Sequence, residues 1–326
     1  MLIELSVIIP AFNSEKFISK CLLSIIGQNV SDMEIIVIND GSKDNTIEVV
    51  SKLAAQYSIV RLFSTKNRGV AHARNIGLKL ARGKYITFVD ADDYLEAGAY
   101  NTMLYEINKY DADIVEGACR KEKVNGVLIY KCALHKEIIK GKYNCEKHFL
   151  KQDNCYNYMC NKIYKRDLFL GRRFPLLRYS EDYYMNAVLH KNASCKVVLN
   201  NIVYHYIIHN QSASGKQMGM ERLDIIRAGV MTANLCADRY LRTYPCIYTC
   251  DYCIEIAYMI YHQGNKKLFY EFIVRSRRYY LHMLKWIFSG NAMWRENYKR
   301  YWFYLFFLLF PNLMVKLKRE SYFMVG

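Results

Sequence analysis

Short apolar runs alternate with amphipathic stretches along the front of the chain, and this alternation predicts strands and helices in turn. The apolar runs are five or six residues long and rich in β-branched side chains, as buried strands are. They lie at Leu5–Ile9, Glu34–Asn39, Val60–Ser64 and Tyr85–Val89. The stretches between them, at about 14–26, 44–56 and 70–82, carry apolar residues at helical spacing. We therefore expect an α/β fold with a mostly parallel sheet flanked by helices.

Beyond residue 93 the pattern changes twice. A helix is predicted near Leu95–Tyr110 and a strand near Ile114–Cys119, and mixed patterns continue from there. From about Met218 onward, helical spacing dominates. We therefore expect an α/β domain at 1–214 and a helical C-terminal extension at 215–326.

The composition excludes a disordered or low-complexity chain. Of 326 residues, 52% are hydrophobic and 23% are charged, and only 4 are proline. The net charge is +16, yet residues 1–100 carry 11 basic and 11 acidic side chains. Residues 215–326 carry 17 basic against 8 acidic side chains, together with 24 of the 47 aromatic residues. A neutral front and a basic, aromatic C-terminal region indicate two different roles.

The 11 cysteines are scattered without a repeated spacing, which is typical of reduced thiols in a cytosolic protein. We expect no secretory signal at the N-terminus, because Glu4 and Pro10 interrupt any apolar stretch there. Cys246, Cys250 and Cys253 would share one side of a helix, where they fit either a metal site or small core residues.

Polar clusters follow the first four predicted strands, where ligands bind in sheets of this kind. The clusters are Ala11–Asn13, Asp40–Ser42, Asn67–Gly69 and Asp90–Asp93. In the last cluster, the carboxylates of Asp90, Asp92 and Asp93 repel one another unless a cation neutralises them. Oxygen ligands of this kind suit Mg²⁺ or Mn²⁺, which commonly also holds phosphates. A solvated acidic loop that caps the next helix is the alternative.

Two common nucleotide-binding patterns are missing from the sequence. Pro10–Ser14, after the first strand, contains no glycine, which argues against a dinucleotide-binding oxidoreductase, and no P-loop pattern occurs. Instead, Phe12 offers a stacking face and Asp40 an acceptor for the imide N–H of a base. Arg74 can meet a base carbonyl or a phosphate. Taken singly, Phe12 also fits a core aromatic residue and Arg74 a solvated helix face.

Together these segments resemble the family 2 glycosyltransferases of the GT-A fold, the nucleotide-diphosphosugar transferases of bacterial surface polysaccharide synthesis. The matching segments are Ser6–Asn13, Glu34–Ser42, Asn67–Asn75 and Phe88–Asp93. The resemblance implies that Phe12 and Asp40 bind a uracil ring. It also implies that Asp90 and Asp92 bind the ribose and the metal-bound diphosphate. The nucleotide-sugar site implied in this way comprises Pro10, Phe12, Asn13, Asp40, Asn67, Gly69, Arg74, Asp90 and Ala91, with Asp92 on Mn²⁺ or Mg²⁺.

The resemblance continues more weakly to about residue 214. Asn161–Phe169 is similar to the Asn-Lys-Leu-Tyr segment of the family, and Ser180–Tyr183 is similar to its Glu-Asp motif. The second match implies that Asp182 is the general base. From the residues alone, Glu181 and Asp182 fit the N-terminus of a helix. The auxiliary site residues expected here are Lys162, Glu181, Asp93 and His209.

One element of the family pattern is missing. Family members often carry Tyr-Arg before a Ser-x-Ser, and this chain has Tyr206 and Ile207 before Ser212–Ser214. The diphosphate contact of that arginine is therefore absent at Ile207. His209 or Lys216 can take its place, and a surface role fits either residue equally well.

The function implied by the resemblance is an inverting, metal-dependent transfer of a hexose or N-acetylhexosamine from a nucleotide-sugar, UDP-linked, to a growing and lipid-carried surface glycan. A sugar-phosphate nucleotidyltransferase is an alternative, but it would need a glycine-rich loop after the first strand. A non-catalytic glycan- or nucleotide-binding scaffold on the same fold is another. The carboxylates of Asp90, Asp92 and Asp182 argue against the scaffold.

The C-terminal region fits either membrane attachment or packing on the catalytic domain. Lys266–Phe288 reads as an amphipathic helix, and basic residues flank the aromatic run Tyr301–Phe310. That run is shorter than the 18–20 residues a spanning helix needs, so it suits attachment at the membrane surface. We expect a cytoplasmic protein, peripheral at the inner face of the bacterial membrane. No nucleic-acid-binding module is recognisable, so nucleic acid is not an expected partner.

Overall fold

The computed structural model describes residues 3–131, 134–151, 157–209, 219–289 and 302–317. The chain forms two compact units. The first, called the sheet unit, comprises Met1–His148, Asn157–Leu176 and Leu189–Gly215. The second, called the helical unit, comprises Phe149–Tyr156, Leu177–Val188 and Lys216–Gly326. Two segments that precede residue 214 therefore belong to the helical unit.

Ten strands of the described chain form one sheet. The strands are β1 (Leu5–Ala11), β2 (Met33–Asn39), β3 (Val60–Ser64), β4 (Tyr85–Phe88), β5 (Tyr94–Leu95), β6 (Ile114–Lys123), β7 (Leu128–Lys131), β8 (Glu137–Lys140), β9 (Lys162–Lys165) and β10 (Cys195–Ile208). Their order is β3-β2-β1-β4-β9-β6-β10-β5, with β7 on β6 and β8 on β10.

The sheet is parallel where the sequence pattern is most regular. β3, β2, β1 and β4 pair in parallel, as the alternation of strands and helices predicts. β9 pairs antiparallel with both β4 and β6, while β6 and β10 are parallel. β5, β7 and β8 pair antiparallel with their neighbours. The mixed sheet and the helices packed on it confirm the predicted fold class.

The register of the strands brings their carboxyl ends to one level. Asn39 at the end of β2 pairs with Ala11 at the end of β1 and with Ser64 at the end of β3. The Asp40 amide then donates to the carbonyl oxygen of Ala11 at 2.8 Å. The polar clusters after these strands therefore lie at the same edge of the sheet.

Among the described residues, four α-helices belong wholly to the sheet unit, and two more have residues in both units. The first four are α1 (Ile18–Ile26), α2 (Thr46–Gln56), α3 (Val70–Leu80) and α4 (Ala99–Lys109). The other two are α5 (Lys142–Lys151) and α6 (Glu181–Asn192). α4 begins four residues later than its apolar pattern predicts, because Tyr94–Leu95 pairs with β10 and Gly98 adopts φ +73°. α3 lies close to β1, since a Cβ on Gly77 would come within 2.3 Å of Ile8 Cγ2.

The helical unit contains the remaining helices. These are α7 (Leu223–Leu235), α8 (Arg239–His262), α9 (Lys266–Ser289), α10 (302–309) and α11 (Pro311–Leu317). Cys246, Cys250 and Cys253 lie buried in its apolar core with free thiols. Among the described residues, no three His, Cys, Asp or Glu side chains are grouped so as to hold a metal ion. The three cysteines are therefore core residues.

The aromatic run expected at 301–310 is divided between core and surface. Tyr304 and Phe307 are buried, and the Tyr304 hydroxyl donates to Asp251 at 2.7 Å. Trp302 and Phe310 are more than half exposed. No helix in the described parts of the chain is both long and apolar enough to cross a membrane.

Candidate functional site

Asp40 organises the loop that follows β3. Its carboxylate is buried and accepts hydrogen bonds from the backbone N–H groups of Arg68 at 2.9 Å and Gly69 at 2.7 Å. Gly69 adopts φ +90° at the start of α3, a conformation that favours glycine. Asn67 is exposed on the same loop. Asp40 thus holds the first turn of α3 against the end of β2.

The loops after β1 and β2 are joined by backbone-to-side-chain hydrogen bonds. The Asn13 amide donates to Ser42 Oγ at 3.0 Å, and Asn13 Oδ1 accepts from the Lys43 amide at 2.9 Å. Asn13 itself adopts φ +50°, which turns the chain sharply after β1. Phe12 beside it leaves 45% of its surface exposed, and Pro10 is partly exposed. The exposed ring of Phe12 is therefore free to stack on a planar ligand.

Arg74 is buried on α3 and faces Asp90. Its guanidinium donates to Asp90 Oδ1 at 2.9 Å and lies 5.6 Å from the centre of the Phe174 ring. Two 2.9 Å hydrogen bonds join the Asn75 side chain to the backbone of Phe174. The sequence pattern predicts the Arg74 contact to a ligand but gives no sign of Phe174. The Asp90 side chain remains one-third exposed, so this ion pair is open to solvent.

Asp92 is paired with His209. The distance between Asp92 Oδ2 and His209 Nε2 is 2.9 Å, and the imidazole stacks on Phe17 with ring centres 4.5 Å apart. Burial and the charge of Asp90 raise the pKa of Asp92 above its ordinary value. The crowding of carboxylates expected from the sequence is therefore present at Asp92, and a cation there would relieve it.

Asp93 points into the protein. It accepts from the Tyr204 hydroxyl at 2.7 Å and from the Ile207 backbone N–H at 2.7 Å. Burial, and then the charges of Asp92 and Asp90, raise the pKa of Asp93 well above its ordinary value. The Ile207 side chain is itself buried, and Ala91 is buried beside the carboxylates. Tyr204 is the residue that sequence reasoning missed here, since a tyrosine inside a strand carries no signal for this contact.

Other elements carry the remaining predicted residues. Lys162 is fully buried in β9 and pairs with Glu116 at 3.1 Å. Glu181 and Asp182 begin α6 in the helical unit, and Asp182 Oδ1 accepts from the Tyr183 amide at 2.7 Å. Ser212–Ser214 and Lys216 lie outside the described residues.

The donor atoms present suit Mg²⁺ or Mn²⁺ in part. Carboxylate oxygens are hard ligands, and Asp92 is partly exposed and electrostatically crowded. His209 adds an imidazole nitrogen, which Mn²⁺ also accepts and Mg²⁺ accepts less readily. The described residues form no group of three such ligands.

Comparison with known proteins gives the family. The sequence model of glycosyl transferase family 2 matches residues 6–171, half of the chain. Glycosyltransferase GlyA of Streptococcus pneumoniae is 31% identical over 221 residues, which cover 65% of this chain and 31% of GlyA. The uncharacterized glycosyltransferase EpsJ of Bacillus subtilis is 30% identical over 208 residues, which cover 62% of this chain and 60% of EpsJ. The matches thus span less than two thirds of either relative.

The fold is also found in solved structures. The crystal structure of S. aureus TarS 1–349 in complex with UDP superposes with a TM-score of 0.60 at 19% identity, covering 91% of this chain and 92% of that one. At this identity the likeness concerns the fold. The match of the family model over residues 6–171 shows that the chain belongs to glycosyl transferase family 2.

Proposed function

We propose that this glycosyltransferase moves a hexose or N-acetylhexosamine from a UDP-sugar to a hydroxyl group of a growing glycan, with inversion at the anomeric carbon. The observation that carries the proposal is the pair of partly exposed carboxylates, Asp90 and Asp92, held beside the buried Arg74 and the partly buried His209. TarS, which shares the fold, has been crystallised with UDP and with UDP-GlcNAc. Its ligands support a uridine nucleotide as the donor here.

The donor would bind along the carboxyl edge of the sheet. Phe12 would stack on the uracil ring, and Asp40 would accept the imide N–H of the base. A carboxylate has about four acceptor sites, so Asp40 can hold the Arg68–Gly69 turn and still accept from a base. Asp90 would accept from the ribose hydroxyls.

The diphosphate would lie near Asp92. Mn²⁺ or Mg²⁺, when bound at Asp92 and His209, would neutralise negative charge on the leaving nucleoside diphosphate. Arg74 would keep the Asp90 carboxylate oriented toward the ribose, because its guanidinium holds one of the two carboxylate oxygens. His209 would take over the diphosphate contact that family members make with an arginine at the position of Ile207.

Asp182 would act as the general base. It stands in the first turn of α6, where one of its carboxylate oxygens accepts a backbone N–H. It would remove the proton from the acceptor hydroxyl as that oxygen attacks the anomeric carbon from the side opposite the diphosphate. A single displacement of this kind inverts the configuration.

The acceptor would be carried by a lipid at the inner face of the membrane. Exposed apolar side chains on α10 and just after it, Leu309 and Phe310, occur in the region with the surplus of positive charge. Apolar insertion and attraction to anionic lipid together suit peripheral attachment.

A thermal-shift screen with UDP-, GDP- and dTDP-sugars in the presence of Mn²⁺ tests the donor. A ligand that binds only the folded protein raises its melting temperature, so a UDP-sugar is expected to raise it most. Release of UDP from the same donor, measured by a coupled assay, then separates an enzyme from a non-catalytic scaffold. Failure of every UDP-sugar to shift the melting temperature would refute the proposed donor.

A further inference from the structure

Four tyrosines recur at every fourth position of α8. This tyrosine ladder comprises Tyr240, Tyr244, Tyr248 and Tyr252. Residues four apart lie on the same face of a helix, about 6 Å apart along its axis. All four side chains are partly exposed, and none of them is an element of the family motifs.

Contacts with neighbouring side chains hold the ladder in place. The rings of Tyr240 and Tyr244 meet edge to face at 5.5 Å, and the Tyr244 hydroxyl donates to Tyr240 Oη at 2.8 Å. The rings of Tyr248 and Tyr252 lie 4.5 Å apart. Lys151 lies over both Tyr240 and Tyr244, at 5.5 and 5.6 Å from their ring centres. The rings are thus ordered before any ligand binds.

One end of the ladder lies beside Asp182. The residue after it, Tyr183, stacks on Tyr248 with ring centres 4.7 Å apart. Burial raises the pKa of Tyr248 and of Tyr252, and the nearby Asp182 charge raises both further. Burial and the bond to Tyr240 raise the pKa of Tyr244 to about 12. At neutral pH these phenols therefore keep their protons and can donate hydrogen bonds.

A row of fixed, partly exposed phenols has the chemistry that recognises an extended glycan. The flat C–H faces of sugar rings stack on aromatic rings, and sugar hydroxyls exchange hydrogen bonds with phenol hydroxyls. A regular spacing along the helix, with each tyrosine turned slightly from the one before it, suits a ligand whose own units repeat. A structural role alone would be served as well by leucine or phenylalanine, which need no partner for a hydroxyl group.

We infer that the tyrosine ladder binds successive sugar units of the acceptor glycan, so that its growing end reaches Asp182. The inference rests on the proposed transferase function and adds the surface that holds the rest of the acceptor. The third and fourth sugar units, counted from the growing end, would then contact Tyr244 and Tyr240.

Binding of the full chain to immobilised glycans, several series each presented at increasing length, tests the inference. We expect the unaltered chain to bind at least one series, with a signal that rises with length. Tyr240→Leu and Tyr244→Leu keep an apolar side chain but remove the ring, and each should lower binding of the longest members at least fivefold. Tyr240→Phe and Tyr244→Phe keep ring and packing and should retain at least half of the binding.

Tyr258→Leu is the matched control, because Tyr258 is a partly exposed tyrosine of α8 that lies outside the ladder. Its glycan binding should equal that of the unaltered chain. No glycan binding by the unaltered chain, or equal losses in the ladder and control variants, would overturn the inference. So would ladder variants that lose binding to anionic vesicles and keep binding to glycans.

UDP titrations of the same proteins separate the two proposals. UDP binding that persists in every variant while no glycan binds would refute the ladder and leave the donor site standing. If the unaltered chain did not bind UDP, the proposed function itself would be refuted.

Discussion

Asp90, Asp92 and Asp93 are neighbours in sequence but differ in their surroundings. Asp90 is paired with a buried guanidinium, Asp92 with an imidazole, and Asp93 with a buried hydroxyl and a backbone N–H. Only the first two keep a third of their side-chain surface exposed. Two of the three carboxylates are therefore available to a ligand, and Asp93 ties the loop to β10.

Asp92→Asn is expected to abolish metal-dependent UDP binding while leaving the fold intact. The substitution removes the charge that would attract the ion but keeps the shape and hydrogen-bonding capacity of the side chain. Calorimetric titration of UDP with and without Mn²⁺ measures the effect. Asp111→Asn, a substitution of an exposed aspartate paired with Lys165, is the control and should bind UDP normally. Unchanged UDP affinity in Asp92→Asn would rule out the metal assignment.

His148 is expected to make stability depend on pH. Burial and the nearby Lys196 charge lower the pKa of His148 to about 4. Its neutral ring accepts from Lys196 Nζ at 3.1 Å and donates to Glu137 at 2.6 Å. The unfolded chain takes up a proton near pH 6.5 and the folded chain does not, so stability falls as the pH drops from about 6.5 toward 4.

Denaturant unfolding at pH 7.5 and 5.0 measures this loss. We expect His148 to account for about 1–2 kcal/mol of the difference between the two pH values. His148→Gln can keep both hydrogen bonds without titrating, so its stability should change less over the same interval. An equal change in both proteins would show that His148 does not cause it.

At the scale of the elements, a buried ion cluster joins three strands of the sheet. Glu116 of β6 pairs with Lys162 of β9 at 3.1 Å and with Lys196 of β10 at 2.5 Å, and all three side chains are fully buried. Burial alone would raise the pKa of Glu116, but the two ammonium groups lower it below its ordinary value. β9 thus has a polar tie to β6 in addition to its short antiparallel ladder.

Glu116→Gln is expected to lower the free energy of unfolding by about 3 kcal/mol or more, because it leaves two buried ammonium groups without a counter-charge. Denaturant titration monitored by circular dichroism measures the change. Glu48→Gln removes an exposed pair with Lys52 on α2 and should leave the stability nearly unaltered. Comparable stability of the two variants would contradict this account of the cluster.

Asp182→Asn, at the start of α6, is expected to lower the turnover of sugar transfer by about 10² or more, the usual size of a general-base contribution. The KM for the donor should hardly change, since the proposed base faces the acceptor. Steady-state transfer assays give both numbers, and Asp167→Asn, a substitution of an exposed aspartate, serves as the control. A collapse of donor affinity with turnover preserved at saturation would place Asp182 in the donor site instead.

At the scale of the whole molecule, charge and exposed apolar surface coincide in the C-terminal region. Residues 215–326 hold more than half of the net charge of +16, and Leu309 and Phe310 expose 66% and 52% of their surfaces. Tyr304 and Phe307, in the same aromatic run, belong to the core of the helical unit. Deleting the run would therefore remove core side chains of this unit, and substitution of the exposed positions gives the cleaner test.

Leu309→Ser combined with Phe310→Ser is expected to weaken co-sedimentation with anionic liposomes several-fold and to slow transfer to lipid-linked acceptors. Release of UDP from a soluble donor should stay unchanged. Added salt should weaken binding of the unaltered chain without abolishing it, because salt screens only the charge attraction. Leu170→Ser, at a similarly exposed leucine of the sheet unit, is the control. The membrane proposal would be refuted if all three proteins sedimented equally with the liposomes, or if the unaltered chain did not sediment with them at all.

The sequence by itself determined the first four strands, the helices between them and the fold class. These elements depend on local patterns, namely β-branched runs that are buried on both faces and apolar residues at helical spacing. The polar clusters at the strand ends could also be predicted, because parallel strands bring their carboxyl ends to one edge.

Tertiary structure decided which side chains meet at that edge. Asp92 and His209 are 117 residues apart, and Tyr204 reaches Asp93 from a strand 111 residues later. Such contacts depend on the order of strands in the sheet, above all on the antiparallel insertion of β9 between β4 and β6, which no local pattern encodes. Tertiary structure also decided which residues of the aromatic run are buried and which are exposed, because burial depends on the neighbours that distant segments supply.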